Sequence, residues 1–467
     1  MQLQADGLPP SERYRAMAVI ILGIAMSVLD GTIVNLALPG IARDLNASPA
    51  HSVWVVNAYQ LATLALLLPC ASLGDRVGYR RVYLGGVALF TAASAACLFA
   101  TSLPMLAASR AVQGLGAAGI MAVNAALVRL TYPRDRLGRA LALNSVVVAT
   151  ASVAGPSLAA AVLSVASWPW LFALNIPVGA AVFALGWGAL PHNPAPAPAN
   201  VRLSWADVVL NIAMFGLIVM GADALGTRAG SSPLPGSLLA GAALLGTGLA
   251  VGAVYLRRQW TQAMPLFPID LLRIPVFALS MATSVTAFAA QTLAYVALPF
   301  LLLESYGHSP MRAGLLLTAW PLAIVLTAPL AGRLIGRYPA GLLGGLGLAL
   351  LATGLALLAA LPADPGAADI VWRLAMCGAG FGLFQSPNNH TIVTSAPLSR
   401  SGAAGGMLGT ARLTGQTIGA VLLGFVFSAV GTRGGRGPLI ALMLAAGFAA
   451  VASLASALRL RHLPGTR

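Results

Sequence analysis

The sequence predicts an all-α integral membrane protein of fourteen transmembrane helices, and three observations carry that reading. The first is composition. Of 467 residues, 58% are hydrophobic and 8% are charged, where a soluble domain is about 45–50% apolar and about 25% charged. A soluble chain of this length needs a charged skin around more than one core. The 27 basic and 12 acidic residues cannot provide it. The second is the recurrence of apolar runs of about 20 residues, the length a helix needs to cross the hydrocarbon layer. A membrane barrel would show alternating polar residues instead. The third is the distribution of arginine. With the N-terminus in the cytoplasm, 19 arginines fall on inside segments, 6 on outside segments and 2 within runs, as the positive-inside rule requires. Both termini are then cytoplasmic. A soluble enzyme, a disordered chain and a secreted disulfide scaffold are excluded.

The runs follow in order. Residues 16–40 form the first; Asn35 and Pro39 make it too long and too polar at its end for a cleaved signal peptide. Run 51–73 leads into the loop GDRVGYRR, and runs 82–101 and 104–130 follow it. Run 137–163 contains Gly155-Pro156, and run 168–190 opens on Trp168 and Trp170. The stretch PHNPAPAPANVRLS (191–204) is Pro-rich and cannot continue a helix. Runs 205–226 and 234–256 form a pair, closed by a connection at 257–271. The last six runs are 272–302, 310–335, 339–361, 368–396, 402–430 and 436–460. The organisation is a six-helix bundle (1–190), linkers with a two-helix insert (191–271), and a second six-helix bundle (272–467). Trp54, Trp168, Trp170, Trp187, Trp205 and Trp372 stand near run ends, as an aromatic belt requires.

An internal repeat supports this division. Run four reads Arg110-A-V-Gln113-Gly114-L-Gly116, with Asn124 beyond; run twelve reads Arg373-L-A-M-C-Gly378-A-Gly380, with Gln385, Asn388 and Asn389 beyond. The loop after run two has a faint copy after run ten, Gly332 to Arg337, that lacks the acid. Parallel repeats of this kind place a substrate site between the halves, near the bilayer midplane.

Intramembrane charges are the residues to weigh for chemistry. An ionised Asp at a helix centre costs about 2.5–3.5 kcal/mol on insertion scales, so it must face a cavity or a partner. Asp30 is such a residue and reads as a proton-coupling group. Arg110 is its natural counterpart: once Asp30 is protonated, the guanidinium needs another acceptor, which couples protonation to shape. Arg412 lies within run thirteen with no acid nearby in the second half. Asp75, Arg76, Gly78 and Arg80 form a conformational latch, in which the glycines allow a tight turn and Asp75 pairs with an arginine of another loop. Asp223, near the end of run seven, is a secondary proton site. Gly155 and Pro156 loosen run five. Asn35, Tyr59, Gln60, Asn124, Gln291, Tyr295, Trp320, Gln385, Asn388 and Arg412 are candidates for a substrate pocket, whose aromatic faces suit cations.

Several function classes are absent. Every basic side chain other than histidine is Arg, and the arginines lie singly or in small groups between apolar runs, so nucleic acid is not a partner. Cys70, Cys97 and Cys377 lie far apart inside apolar runs and define neither a disulfide framework nor a metal site. There is no HExxH or CxxC, and a Walker motif is impossible without lysine. No cofactor is expected. The energy source must be an ion gradient.

The segments VLDGTIVNLALPGIA (28–42), LGDRVGYRR (73–81), RAVQGLGAAG (110–119), VAGP (153–156) and WPWLFALNIPVG (168–179) resemble the fourteen-span drug:proton antiporters of the major facilitator superfamily. The resemblance covers nearly the whole chain. It implies the major facilitator fold and proton-driven efflux of lipophilic compounds, often quaternary ammonium and other cationic drugs. It further implies that Asp30 is the first-span acid used in coupling, that Arg110 is linked to proton transfer, and that Asp75 governs conformational switching. Gly155 and Pro156 match the antiporter signature. The chain departs from the pattern at Ala71, where the loop motif opens with Gly, and at Ala159 and Ala160, where the signature ends in Gly. It also lacks a further acid in run ten that some relatives carry, which bears on divalent cations.

The expectation is a monomeric multi-pass protein of the bacterial inner membrane. It exports small lipophilic, cationic drugs in exchange for protons by alternating access, with lipid as its surroundings. The alternative is an exporter of the same fold for a metabolite such as an amino acid, a siderophore or a sugar-like compound. A membrane-embedded enzyme is disfavoured, because the inside loops carry arginine rather than acidic or histidine clusters.

Overall fold

Fourteen helices long and apolar enough to cross a bilayer run through the computed structural model, which describes residues 7–192, 204–226, 235–260, 262, 267–335, 337–362, 364–396, 401–431 and 435–462. The first six are span 1 (Pro10–Asp44), span 2 (Pro49–Gly74), span 3 (Tyr79–Leu98), span 4 (Leu103–Thr131), span 5 (Val146–Leu163) and span 6 (Pro169–Ala189). Span 7 (Trp205–Ala222) and span 8 (Leu239–Trp260) follow. The last six are span 9 (Pro275–Ser305), span 10 (Pro310–Leu334), span 11 (Ala340–Ala359), span 12 (Ala367–Ser395), span 13 (Ala404–Val430) and span 14 (Arg436–Leu458). No strand forms among the described residues. Most of the Pro-rich stretch 191–204 lies outside them.

Local chemistry sets the helix ends. Ser48 and Ser102 cap their helices by accepting from the backbone N–H groups of His51 and Met105. Proline occupies the first turn of spans 2, 4, 6, 9 and 10, where no intrahelical donor is lost. The helix of span 2 runs on to Val77, and Gly78 alone separates it from span 3, at φ +100°, a conformation that a side chain would strain.

Apolar surface gives little driving force between helices in lipid, so close approach depends on small residues. Gly86 of span 3 lies against Gly116 of span 4, and a methyl group added to it would stand 2.7 Å from the Gly116 carbonyl. Gly347 of span 11 lies against Gly380 of span 12 in the same way, at 2.6 Å. Gly114 presses on the Tyr59 carbonyl, and Gly378 presses on the Trp320 carbonyl. These pairs give the internal repeat its register: Gly114 and Gly116 answer to Gly378 and Gly380, and Tyr59 answers to Trp320. Leu374, not Arg373, therefore stands where Arg110 stands. The two arginines near the starts of these runs are one residue out of step. One residue is about 100° of helix rotation, so Arg373 turns to another face, where it pairs with Asp369 at 3.1 Å and donates to the Leu357 carbonyl at 2.7 Å.

Two seams join the first six spans to the last six. Spans 5 and 10 meet where Gly314 packs on Ala160 and where the Ser157 and Thr318 hydroxyls share a hydrogen bond. Spans 2 and 13 meet through Leu64, Leu67 and Leu413. Spans 7 and 8 pack on each other through Gly221 and Gly248. Span 7 is tied to span 2 by Asn211, which donates to the Ala65 carbonyl at 2.6 Å.

Candidate functional site

Span 1 is not one uniform helix. It is α-helical over Pro10–Ile33, tightens to a 3-10 turn at Val34–Ala37, and resumes as α-helix at Leu38–Asp44. A 3-10 stretch inside a helix often marks a hinge. Asp30 precedes this turn and Asn35 lies within it, so one helix carries both halves of the site.

Asp30 is fully buried and sits in a hydrogen-bonded knot within the first six spans. Arg110 Nη1 donates to its Oδ2 in an ion pair. Gln113 Nε2 donates to Oδ1 at 3.0 Å, and Asn175 Nδ2 donates to Oδ1 at 2.6 Å. Gln113 Nε2 also donates to Ser94 Oγ at 2.8 Å. Arg110 reaches the Gln113 amide oxygen at 2.6 Å and the Val55 carbonyl at 3.0 Å. Its guanidinium stands 4.3 Å from the Tyr59 ring centre and 5.6 Å from that of Phe172. A buried ion pair needs its remaining lone pairs and protons satisfied, and this one is served from spans 1, 2, 3, 4 and 6. Only Arg110 Nη2 has no hydrogen-bond partner.

Arg110 is therefore the partner expected for Asp30. The carboxylate does not, however, open onto the space between the two halves. Asn175, Gln113 and Ser94 complete the knot and escaped the sequence reading. Neutral amides in a helix raise no alarm in composition, although Gln113 and Asn175 both fall inside the segments that carry the family resemblance.

A narrow cleft between the halves has a cavity volume of about 10 Å³, room for a single water. Asn35, Pro156, Tyr295, Pro299, Trp320 and Leu374 line it, from spans 1, 5, 9, 10 and 12. Tyr295 and Trp320 meet edge to face at 5.0 Å between ring centres. Gly155 explains how span 5 reaches this wall: its backbone lies directly on Thr32 and Ile33, leaving no room for a side chain. Pro156 then borders the cleft.

Three predicted pocket residues, Asn35, Tyr295 and Trp320, thus come together, and Gln291 is buried one turn before Tyr295 on span 9. Others do not. Tyr59 belongs to the buried knot, where its hydroxyl donates to the Ser27 carbonyl at 2.7 Å. Gln60 and Asn124 are buried away from the cleft, and Gln385 is half-buried elsewhere on span 12. Asn388 does not border the cleft: it donates to Ser284 Oγ at 2.7 Å and accepts from Arg459 Nη1 at 2.7 Å. Arg459 also reaches Ser280 Oγ at 3.0 Å and the Ser456 hydroxyl. That network ties the ends of spans 9, 12 and 14 and engages both the nitrogen and the oxygen of the Asn388 amide.

Arg412 projects from span 13 between the face that packs on span 9 (Gly415 and Gly419) and the face that packs on span 2 (Gly409 and Leu413). It lies within electrostatic reach of Tyr59, and its Nε is buried without a hydrogen-bond partner. Within the proposed latch, Arg80 bonds His192 Nε2 at 2.6 Å and stands over the Trp187 ring, so it ties span 3 to the end of span 6. The side chains of Asp75 and Asp223 lie outside what the structure describes.

Comparison with known proteins decides the family. The model of the Major Facilitator Superfamily matches residues 20–412 and 279–466. The chain belongs to the major facilitator superfamily. It is similar to an uncharacterized transporter, YebQ, of Escherichia coli, with 50% identity over 98% of both chains. It is also similar to the multidrug resistance protein Stp of Mycobacterium tuberculosis, with 31% identity over 87% of this chain and 74% of Stp. Among solved structures, the peptide transporter PepTSo superposes with a TM-score of 0.69 at 15% identity, covering 96% of this chain and 98% of that one; this likeness shows the fold alone. Members of the superfamily matched here are membrane transporters and not enzymes. The fourteen spans make this member a multi-pass membrane protein.

Proposed function

We propose that the protein exports lipophilic small molecules across the bacterial inner membrane in exchange for protons, by alternating access, with both termini in the cytoplasm. The observation that carries this reading is the Asp30–Arg110 pair, buried out of water and linked along span 1 to the cleft between the halves. Burying two charges is costly unless the pairing is complete. Protonating Asp30 would remove the negative charge that holds Arg110, weaken the hydrogen bonds its carboxyl accepts and let spans 1, 4 and 6 shift against one another. The shift would pass along span 1, beneath the Gly155 contact, to Asn35 in the cleft. Proton and cargo would then be coupled through one helix, not by rivalry for one carboxylate.

A cationic cargo would call for a free carboxylate at the seam. Among the described residues the only acid in the middle of the membrane core is Asp30, and Arg110 already neutralises it. The geometry therefore favours lipophilicity over positive charge as the common feature of the cargo. A metabolite of that character fits equally well. The proton gradient supplies the energy and no cofactor is needed. One inward proton exchanged for one neutral molecule moves one charge, to which a 100 mV potential contributes about 2.3 kcal/mol. The loop Asp75–Arg80 serves as the latch between the two six-helix bundles, and Asp223 as a secondary proton site.

The test is transport by purified protein in proteoliposomes carrying an imposed pH gradient. Accumulation of a lipophilic dye against its own gradient, collapsed by a protonophore, is the expected result. Dye movement that ignores the pH gradient contradicts the proposal.

A further inference from the structure

We infer that the cleft between Asn35 and Trp320 is a binding site for an uncharged, largely apolar molecule that carries a hydrogen-bond donor and a hydrogen-bond acceptor side by side, as a lactam or secondary amide does. The inference rests on the export reading above and narrows it to a substrate class.

The unmet polar groups are the first ground. Asn35 Oδ1 and Trp320 Nε1 are both buried, and neither has a hydrogen-bond partner. Asn35 is 7% exposed and Trp320 is 0% exposed. Buried polar groups are nearly always paired, and each exception calls for an explanation. Here the residues that carry one orphaned acceptor and one orphaned donor line the same cleft, from opposite halves of the protein. A ligand with both functions meets both needs at once.

The second ground is the charge of the walls, read through the internal repeat. The register set by the glycine pairs makes Trp320 the counterpart of Tyr59 and Leu374 the counterpart of Arg110. The sequence Ala37-Leu38-Pro39 recurs as Ala297-Leu298-Pro299, which makes Ala290 the counterpart of Asp30 and Tyr295 that of Asn35. The second half thus has the layout of the proton knot with its acid and its base both replaced by apolar residues. Among the described residues no charged side chain lines the cleft. A cation or an anion brought there would lose its water without gaining a partner. Aromatic and proline walls suit a flat apolar body.

The third ground is position. The cleft is narrowed to about the width of a water in this structure, and its walls belong to both halves. A parting of the halves both widens it and exposes the two orphaned groups, so occupancy is tied to the conformational cycle. Asn35 sits in the 3-10 turn that follows Asp30, which puts the ligand's contact and the proton's seat on one flexible segment.

The experiment is equilibrium binding to the full-length protein in detergent, with no gradient present. Three probes of one shape are compared: 2-quinolone, which has the lactam pair; N-methyl-2-quinolone, which lacks the donor; and N-methylquinolinium, which is a cation. The lactam should bind tightest, the N-methyl lactam about tenfold weaker, and the cation weakest, since each lost hydrogen bond strands a buried group. Asn35→Leu and Trp320→Phe should each weaken lactam binding about tenfold; Asn35→Leu should also erase its advantage over the N-methyl form, whereas Trp320→Phe, which removes the donor to the carbonyl that both probes share, should leave that advantage in place. Asn35→Leu removes no existing hydrogen bond and should leave the unfolding temperature unchanged, while Trp320→Phe trims a buried ring beside Tyr295 and should lower it by a few degrees; cooperative unfolding kept in both variants separates lost recognition from lost folding. The inference is overturned if the cation binds as well as the lactam, or if the variants leave lactam affinity unchanged, as they would if only a bridging water used the two groups. Because binding is read without a pH gradient, these outcomes are independent of whether transport proves proton-driven.

Discussion

The Arg110 guanidinium stands 4.3 Å from the Tyr59 ring centre while the Tyr59 hydroxyl donates to the Ser27 carbonyl at 2.7 Å. Tyr59 therefore holds the cation of span 4 with its face and the backbone of span 1 with its hydroxyl, one turn before Asp30. A desolvated cation–π contact of this kind contributes about 2 kcal/mol, and the hydroxyl bond about 1 kcal/mol. Tyr59→Phe keeps the ring and should lower transport modestly. Tyr59→Leu loses both contacts and should lower it severalfold more. Initial rates in proteoliposomes, normalised to folded protein, measure the difference.

Arg110 serves Asp30, Gln113 and Val55 at once, and only a planar fork can do so. Arg110→Leu strands a buried carboxylate and should destabilise the protein by about 3–5 kcal/mol. Adding Asp30→Leu removes the stranded charge and should recover most of that loss. Thermal unfolding of the two single variants and the double variant gives the coupling. Equal, additive losses would mean that the pair is not a unit.

Gly155 allows span 5 to lie on Thr32 and Ile33. Gly155→Ala should push the two spans apart at a cost of about 1–3 kcal/mol and impair transport. The Thr32 hydroxyl oxygen is the atom that the new methyl group meets first, so Thr32→Ala in the same chain should restore much of the rate. Transport rates of the single and double variants check this.

Arg459→Ala leaves Asn388, Ser280 and Ser456 without their donor. It should lower stability by on the order of 2 kcal/mol while leaving ligand affinity unchanged, since none of these groups borders the cleft. A loss of affinity without a loss of stability would return Asn388 to the binding site.

The spans were legible because a twenty-residue apolar run has few other uses, and because the arginine bias reports a missed crossing. The Asp30–Arg110 pair was legible for a similar reason: a charge in the membrane core demands a partner, and the first half offered one of each sign. Helix rotation was not legible. Asn388 and Asn35 look alike as amides in apolar runs, yet one is consumed by Arg459 and the other borders the cleft. Arg459 lies just past the last span and reads as one more inside arginine until the fold brings it back under span 12. Arg373 shows how fine the margin is, since a one-residue offset in the repeat turns it away from the position of Arg110 to a partly buried pair with Asp369. The amides of Gln113 and Asn175 gave no signal, because their role exists only once five spans meet.

The most direct measurement is dye transport by Asp30→Asn in proteoliposomes, with and without a pH gradient. If Asp30 carries the coupling proton, the variant still lets dye run down its own gradient but no longer accumulates it when a pH gradient is imposed. Uphill accumulation at the wild-type rate by Asp30→Asn would contradict the account.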